Sequence, residues 1–145
     1  MMYTSHYLSP VGDLTMTGTE SNLTALYFSS QKNIPVVLDD LIERETEVFT
    51  KTKLYLDSYF EGKRPSLLPK IEIHTTPFRH NVYEILSTIG YGKTLTYGDI
   101  AKNLINKYKL KAMSAQAVGN AVGHNPICII IPCHRVLGKD GALTG

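Results

Sequence analysis

The sequence predicts an α/β N-terminal domain, a small antiparallel sheet plus a helix, followed by a mainly helical C-terminal domain with a helix-turn-helix and a short active-site strand. Three observations predict it. Residues 14–28 hold two strand-like runs around a turn, residues 78–123 hold three segments with apolar residues at helical spacing, and residues 127–131 form an unbroken apolar run. The segment Lys63-Arg64-Pro65-Ser66-Leu67-Leu68-Pro69-Lys70, with two prolines and three basic residues, reads as a linker. The domains are therefore expected at 1–70 and 71–145.

The first half begins with Leu14-Thr15-Met16-Thr17 and Leu23-Thr24-Ala25-Leu26-Tyr27-Phe28, both of strand composition. They flank Gly18-Thr19-Glu20-Ser21-Asn22, a plausible hairpin turn. Residues 43–60 place Val48, Leu54, Tyr55, Tyr59 and Phe60 among charges, a helical pattern that Gly62 ends. Nothing in residues 1–70 suggests chemistry.

In the second half, Phe78, Val82, Ile85, Leu86 and Ile89 fall on one helical face, and Gly90 and Gly92 stop that helix. Thr96 with Asp99 three residues on forms a capping-box pattern opening a second helix, whose buried face is Ile100, Ala101, Leu104 and Ile105. After a basic connection (Lys107, Lys109, Lys111), Ser114 caps a third helix ending near Gly123. Its apolar stripe is Ala115, Val118, Ala121 and Val122; its opposite face is Gln116, Gly119, Asn120 and Gly123. Two glycines make a poor solvated helix surface, since each costs up to about 1 kcal/mol relative to alanine. Either the helix is flattened so that its backbone approaches a partner, or it packs tightly on a neighbouring helix. The pair joined by the basic connection resembles a helix-turn-helix. Long side chains for reading base edges are missing, so shape and backbone contact should matter more than sequence readout.

Composition sets the outer limits. A chain of 145 residues accommodates one ordinary domain or two small ones, and 43% hydrophobic with 19% charged residues suits a globular rather than a disordered protein. No run approaches the roughly 20 apolar residues of a membrane span, and MMYTSHYLSP carries no secretory pattern. The two cysteines, Cys128 and Cys133, are too close along one stretch to make a disulfide framework, which points to a reducing, cytoplasmic setting. Residues 1–70 carry nine acidic and seven basic side chains; residues 71–145 carry four acidic and eight basic. A polyanion should therefore meet the C-terminal half.

Residues 125–136 read Asn-Pro-Ile-Cys-Ile-Ile-Ile-Pro-Cys-His-Arg-Val. Ile127 to Ile131, β-branched except at Cys128, is expected to be a buried strand that Pro132 terminates. Cys133, His134 and Arg135 then sit just past a core strand, where a rigid base can present reactive groups. A free thiol ionises near about 8.5, and a nearby imidazole or guanidinium raises its thiolate fraction. In an extended chain, however, adjacent side chains point to opposite faces, so His134 would reach Cys133 only through a water or a turn. The spacing alone leaves Cys133 open between a nucleophile and an inert core thiol; Cys128 reads as the latter. His124, Cys128, Cys133 and His134 lack the paired spacing of structural zinc sites, and no phosphate-loop or dinucleotide fingerprint is present. No metal or cofactor is expected.

At this point a resemblance becomes specific. Ile131-Pro132-Cys133-His134-Arg135-Val136 resembles the active-site signature of the O6-alkylguanine-DNA alkyltransferases, also called methylated-DNA–protein-cysteine methyltransferases. Ala117-Val118-Gly119-Asn120-Ala121-Val122-Gly123-His124-Asn125-Pro126 is similar to that family's recognition helix and asparagine hinge, and Gly92-Lys93-Thr94-Leu95-Thr96-Tyr97-Gly98-Asp99-Ile100-Ala101 to its first DNA-facing helix. The likeness runs in register from about Pro77 to Gly145; residues 1–70 fit the variable N-terminal domain loosely.

The resemblance implies single-turnover transfer of an alkyl group from O6-alkylguanine in double-stranded DNA to Cys133, by a monomer, after the nucleotide is flipped out. Cys133, His134 and Asn125 would form the catalytic set: Cys133 accepts the alkyl group, His134 deprotonates it through a water, and Asn125 braces the strand and turn. Tyr97, Gln116, Ala117, Gly119, Asn120, Arg135 and Val136 would contact DNA or substrate. Tyr97 would press on the 3′ phosphate, backbone near Cys133 and Val136 would hold the guanine edge, and the recognition helix would enter the minor groove.

The chain departs from the family pattern in four places. Gln116 stands where an intercalating arginine is frequent, Tyr83 where tryptophan is, and Gly90 where proline is. After Leu143-Thr144-Gly145 the family continues with a loop and a helix bearing the glutamate that orients the histidine, and the chain is expected to lack both. Two other functions compete: a lesion-binding protein with impaired transfer, and a cysteine hydrolase using Cys133 and His134. The latter lacks an oxyanion-hole pattern.

Overall fold

The computed structural model describes residues 1–31, 34, 40–65, 67–90 and 92–137. The chain divides into two compact units, Met1–His74 and Thr75–Gly145. The division falls four residues after the expected one, because residues 70–72 pair with the first unit. Leu23 N donates to Lys70 O (2.7 Å) and Glu72 N to Leu23 O (2.9 Å). Ser66 of the expected linker and the stretch from 138 to the chain end lie outside the described residues.

The first unit is built on strands β1 (Tyr3–Ser9), β2 (Gly12–Gly18), β3 (Leu23–Phe28) and β4 (Ile42–Glu43), in the order β3-β2-β1-β4. β1, β2 and β3 pair antiparallel, as Leu14 opposite Phe28 and Tyr7 opposite Leu14 show. The expected hairpin is thus present, but the sheet is mixed, since β4 runs parallel to β1. In the hairpin turn, Thr19 N donates to Asn22 O (2.9 Å), and a Cβ on Gly18 would lie 2.3 Å from that carbonyl oxygen. Only glycine fits there.

Helix α1 (Glu47–Phe60) packs on this sheet. Thr46 caps it by accepting from Phe49 N. Its buried face is Val48, Phe49, Thr52 and Leu56, which meets Leu14, Met16, Leu23 and Leu26 as the unit's core side chains. Leu54, read in the sequence as part of that face, is exposed. The apolar stripe lies about half a turn from it, and the threonine hydroxyl at 52 turns inward to donate to Val48 O.

The second unit contains α2 (Pro77–Ser87), β5 (Leu95–Thr96), α3 (Tyr97–Tyr108), α4 (Ala115–Gly123) and β6 (Val136–Leu137). α3 and α4 start where the sequence placed a cap, and α2 starts at a cap the sequence reading did not single out. Thr76 accepts from Arg79 N with Pro77 in the first turn, Thr96 and Asp99 form a reciprocal capping box, and Ser114 accepts from Ala117 N. α3 ends on Lys109, a non-glycine residue in the left-handed region (φ 55°). The three helices pack on one another around Val82, Leu86, Ile100, Leu104, Val118 and Val122. Within the core the Tyr83 hydroxyl donates to Ala121 O (2.9 Å), tying α2 to α4. α3, its connection and α4 are the expected helix-turn-helix. Ala115, expected in the apolar stripe of α4, is the first residue of that helix and is exposed. Among the described residues no helix is long and apolar enough to cross a membrane.

Candidate active site

The run Ile127–Ile131 is buried, except for half-buried Cys128, but it is not the strand its composition suggested. It closes on itself. Ile129 takes a left-handed backbone (φ 68°), Ile130 N donates to Cys128 O (2.7 Å), and Ile131 N donates to Ile127 O (3.1 Å). With Pro126 and Pro132 at its two ends, the segment forms a turn after a single bridge residue, Ile127, rather than an extended strand. Apolar β-branched residues record that a segment is buried, not that it is extended.

Asn125 holds this knot together. Its Oδ1 accepts from Ile127 N (3.0 Å) and its Nδ2 donates to Ile131 O (2.8 Å), bridging the entrance and exit of the turn. The chain then enters a single 3-10 turn, Cys133–Arg135, in which Arg135 N donates to Pro132 O (3.0 Å). The sequence placed Cys133 and His134 on an extended stretch with opposed side chains; the turn removes that opposition. Cys133 is half-buried and His134 is exposed. Val136 follows as a buried residue paired with Leu95, and Leu137 pairs with Thr96, in a two-stranded parallel ribbon. That pairing fixes the exit of the cysteine turn beside the residue immediately before Tyr97.

Burial pushes Cys128 up to about 12, with the neighbouring Cys133 adding to the effect, so Cys128 stays a neutral core thiol. Tyr83 is likewise raised to about 12 by burial, with Arg79 opposing and Cys133 reinforcing. His134 is lowered from 6.5, first by the protein packed around its ring and second by the adjacent Arg135 charge. Although its side chain reaches solvent, the imidazole is held neutral near physiological pH and is available as a base.

The remaining predicted positions group on and around α4. Gln116 and Asn120 are exposed on it, and Ala117 and Gly119 are partly so. Asn120 O accepts from His124 Nδ1 (2.8 Å) at the helix end. A Cβ on Gly119 would stand 3.8 Å from Tyr97 Cε1, an ordinary contact, and one on Gly123 would meet nothing within 4 Å. Packing inside the described protein therefore requires neither glycine: the contact of Gly119 with α3 leaves room for a methyl group, and Gly123 has no near neighbour. Tyr97, the first residue of α3, lies over Gly119, so two residues chosen separately from the sequence form one surface.

Two features had no sequence signal. Arg135 Nη1 donates to Ile89 O (2.9 Å), a backbone acceptor with no side-chain signature, and the Tyr83–Ala121 bond also ends on a carbonyl. Among the described residues no three of His, Cys, Asp and Glu gather in a group that could hold a metal ion.

The site has recognisable relatives. Residues 77–145 match the 6-O-methylguanine DNA methyltransferase DNA-binding domain, and residues 2–73 match the ribonuclease-like domain of the same family. The chain is 40% identical over 144 residues to a methylated-DNA–protein-cysteine methyltransferase of Methanosarcina acetivorans, covering 99% of this chain and 88% of that protein. A Haemophilus influenzae protein of the same name is 37% identical over 146 residues, covering 99% of this chain and 78% of its own length. Among solved structures, the Mycobacterium tuberculosis O6-methylguanine methyltransferase superposes with a TM-score of 0.82 at 35% identity, over all (100%) of this chain and 84% of that one. The M. tuberculosis OGT in complex with DNA superposes with a TM-score of 0.83 at 35% identity, over 99% of this chain and 83% of that one.

Proposed function

The chain belongs to the 6-O-methylguanine DNA methyltransferase family, and from that premise we propose that it repairs double-stranded DNA by moving the alkyl group of O6-alkylguanine onto Cys133, once per protein molecule. The observation that carries this reading is the Asn125-braced turn, which presents Cys133 directly before a histidine held neutral.

The step is an in-line displacement at the alkyl carbon. The Cys133 sulfur forms the new S–C bond as the C–O6 bond breaks. The thiol proton passes through a water to the His134 imidazole, and the departing guanine anion takes one proton from water, so that thiol and O6-alkylguanine give thioether and guanine. The thioether product regenerates no thiol, so each chain acts once. O6 lies inside the stacked and paired duplex, so the nucleotide has to leave the helix before the thiol reaches it. In this reading Tyr97 receives the flipped nucleotide's phosphate at the edge of α4, and Gln116 fills the gap left in the stack. Ala117, Gly119 and Asn120 meet the minor-groove backbone, and the chain around Val136 holds the guanine edge. The reading needs no cofactor and no second subunit, and a reduced cytoplasmic setting keeps Cys133 a thiol.

The test is duplex DNA carrying labelled O6-methylguanine, with label per protein followed over time. Transfer is expected to plateau near one label per chain and to vanish with Cys133→Ala. Binding without transfer would point instead to a lesion-binding protein, and release of label over repeated turnovers would overturn the single-use mechanism.

A further inference from the structure

Arg135 directly follows the reactive pair, and a guanidinium there invites assignment to DNA. The structure gives it another task. Its side chain is half-buried, and Nη1 donates to the carbonyl of Ile89, two residues past the end of α2. Ile89 O lies just beyond the negative pole of α2, so a cation is well placed there. Resting on the functional reading above, we propose that Arg135 is a positioning residue, which clamps the Cys133–Arg135 turn to the end of α2 and so fixes Cys133 and His134 for alkyl transfer.

The surrounding restraints show what this clamp adds. The turn is held on its entry side by Asn125 Nδ2 on Ile131 O and on its exit side by Val136 paired with Leu95. Between those anchors lie Pro132, Cys133, His134 and Arg135, and the backbone bonds there are Cys133 N to Ile131 O, Arg135 N to Pro132 O and Val136 N to Cys133 O. A single 3-10 turn is a weak element by itself. The Arg135–Ile89 bond, spanning 46 residues of sequence, joins its last residue to the buried Ile89, just past the end of α2. The same charge contributes, after burial, to holding His134 neutral.

The test is single-turnover transfer from an O6-methylguanine duplex, separating the maximal rate at saturating DNA from the DNA concentration giving half that rate. Arg135→Ala is expected to lower the maximal rate by about 10- to 100-fold, the effect of a small misplacement of reacting groups. The half-saturating concentration should stay within about twofold. Arg135→Lys, which keeps one donor and the charge, should recover part of the lost rate, and it also serves if the alanine variant fails to fold. A DNA contact would produce the opposite pattern: a higher half-saturating concentration with an unchanged maximal rate. That result, or lysine no better than alanine with both well folded, would overturn the proposal. Absence of transfer by the unaltered protein would overturn the functional reading instead.

Discussion

Both ends of the Asn125 amide are in use, one accepting from Ile127 N and one donating to Ile131 O. Asn125→Ala leaves Ile127 N without its acceptor and Ile131 O with Cys133 N alone, and urea unfolding should show a loss of about 1–3 kcal/mol, with slower transfer. Asn125→Asp keeps the acceptor and should fall between the two; an alanine variant as stable as the parent would contradict the bracing role. His134 yields a pH prediction. Because its folded value lies below 6.5, its base-competent neutral form persists through pH 6.5 and is lost only as pH falls through the lowered value. The acid limb of the transfer rate should accordingly lie below 6.5, where an ordinary histidine would already be half protonated. The sign for stability agrees: between the lowered value and 6.5 the unfolded chain binds more protons, so this group's contribution declines as pH falls through that window. At this scale Cys133, His134 and Asn125 were legible because their side chains form a motif. The Arg135 clamp was not, because its acceptor is a backbone carbonyl 46 residues away.

The bare face of α4 gives a prediction in which stability and function move in opposite directions. Gly119 has no packing partner that excludes a methyl group, and its backbone is not left-handed. Gly119→Ala should therefore raise stability by about 0.4–1 kcal/mol in thermal unfolding. If this face approaches DNA as proposed, the same methyl should weaken duplex binding; a variant gaining stability with unchanged affinity would remove α4 from the interface. At the start of α3, Thr96→Ala removes the capping box beneath Tyr97 and should cost about 1 kcal/mol. Elements with local signals were readable: two caps, two strands and the basic connection. β1 was missed because Ser5 and Ser9 occupy its inward positions, where an apolar residue would have shown the alternation. Ser9 Oγ donates to Gly12 O (2.7 Å) and Ser5 Oγ to Glu45, so hydroxyls are buried there without penalty. The isoleucine run was misread for the complementary reason, since apolarity marks burial while Asn125 and the two prolines determine its shape.

Charge is unevenly shared along the molecule, with the acidic excess in residues 1–70 and the basic excess in residues 71–145. That asymmetry makes the DNA-facing unit identifiable in solution without a structure of the complex. Lys109 and Lys111 lie exposed in the connection between α3 and α4. Lys51 and Lys53, in the first unit, are held beside Glu47 (3.5 Å) and Glu45 (2.7 Å). Each phosphate neutralised on a duplex releases counterions and contributes roughly 0.9 to the slope of log affinity against log salt. Replacing Lys109 and Lys111 together by glutamine should reduce that slope by up to about 1.8, to a similar extent on damaged and undamaged duplex, because phosphate contacts carry no sequence or lesion information. The same double change at Lys51 and Lys53 should leave the slope as it was. Equal reductions from both pairs would mean that the first unit also lies on the backbone. No reduction from the first pair would take the connection off the DNA and leave the surface formed by α4 and Tyr97 to bind through shape alone.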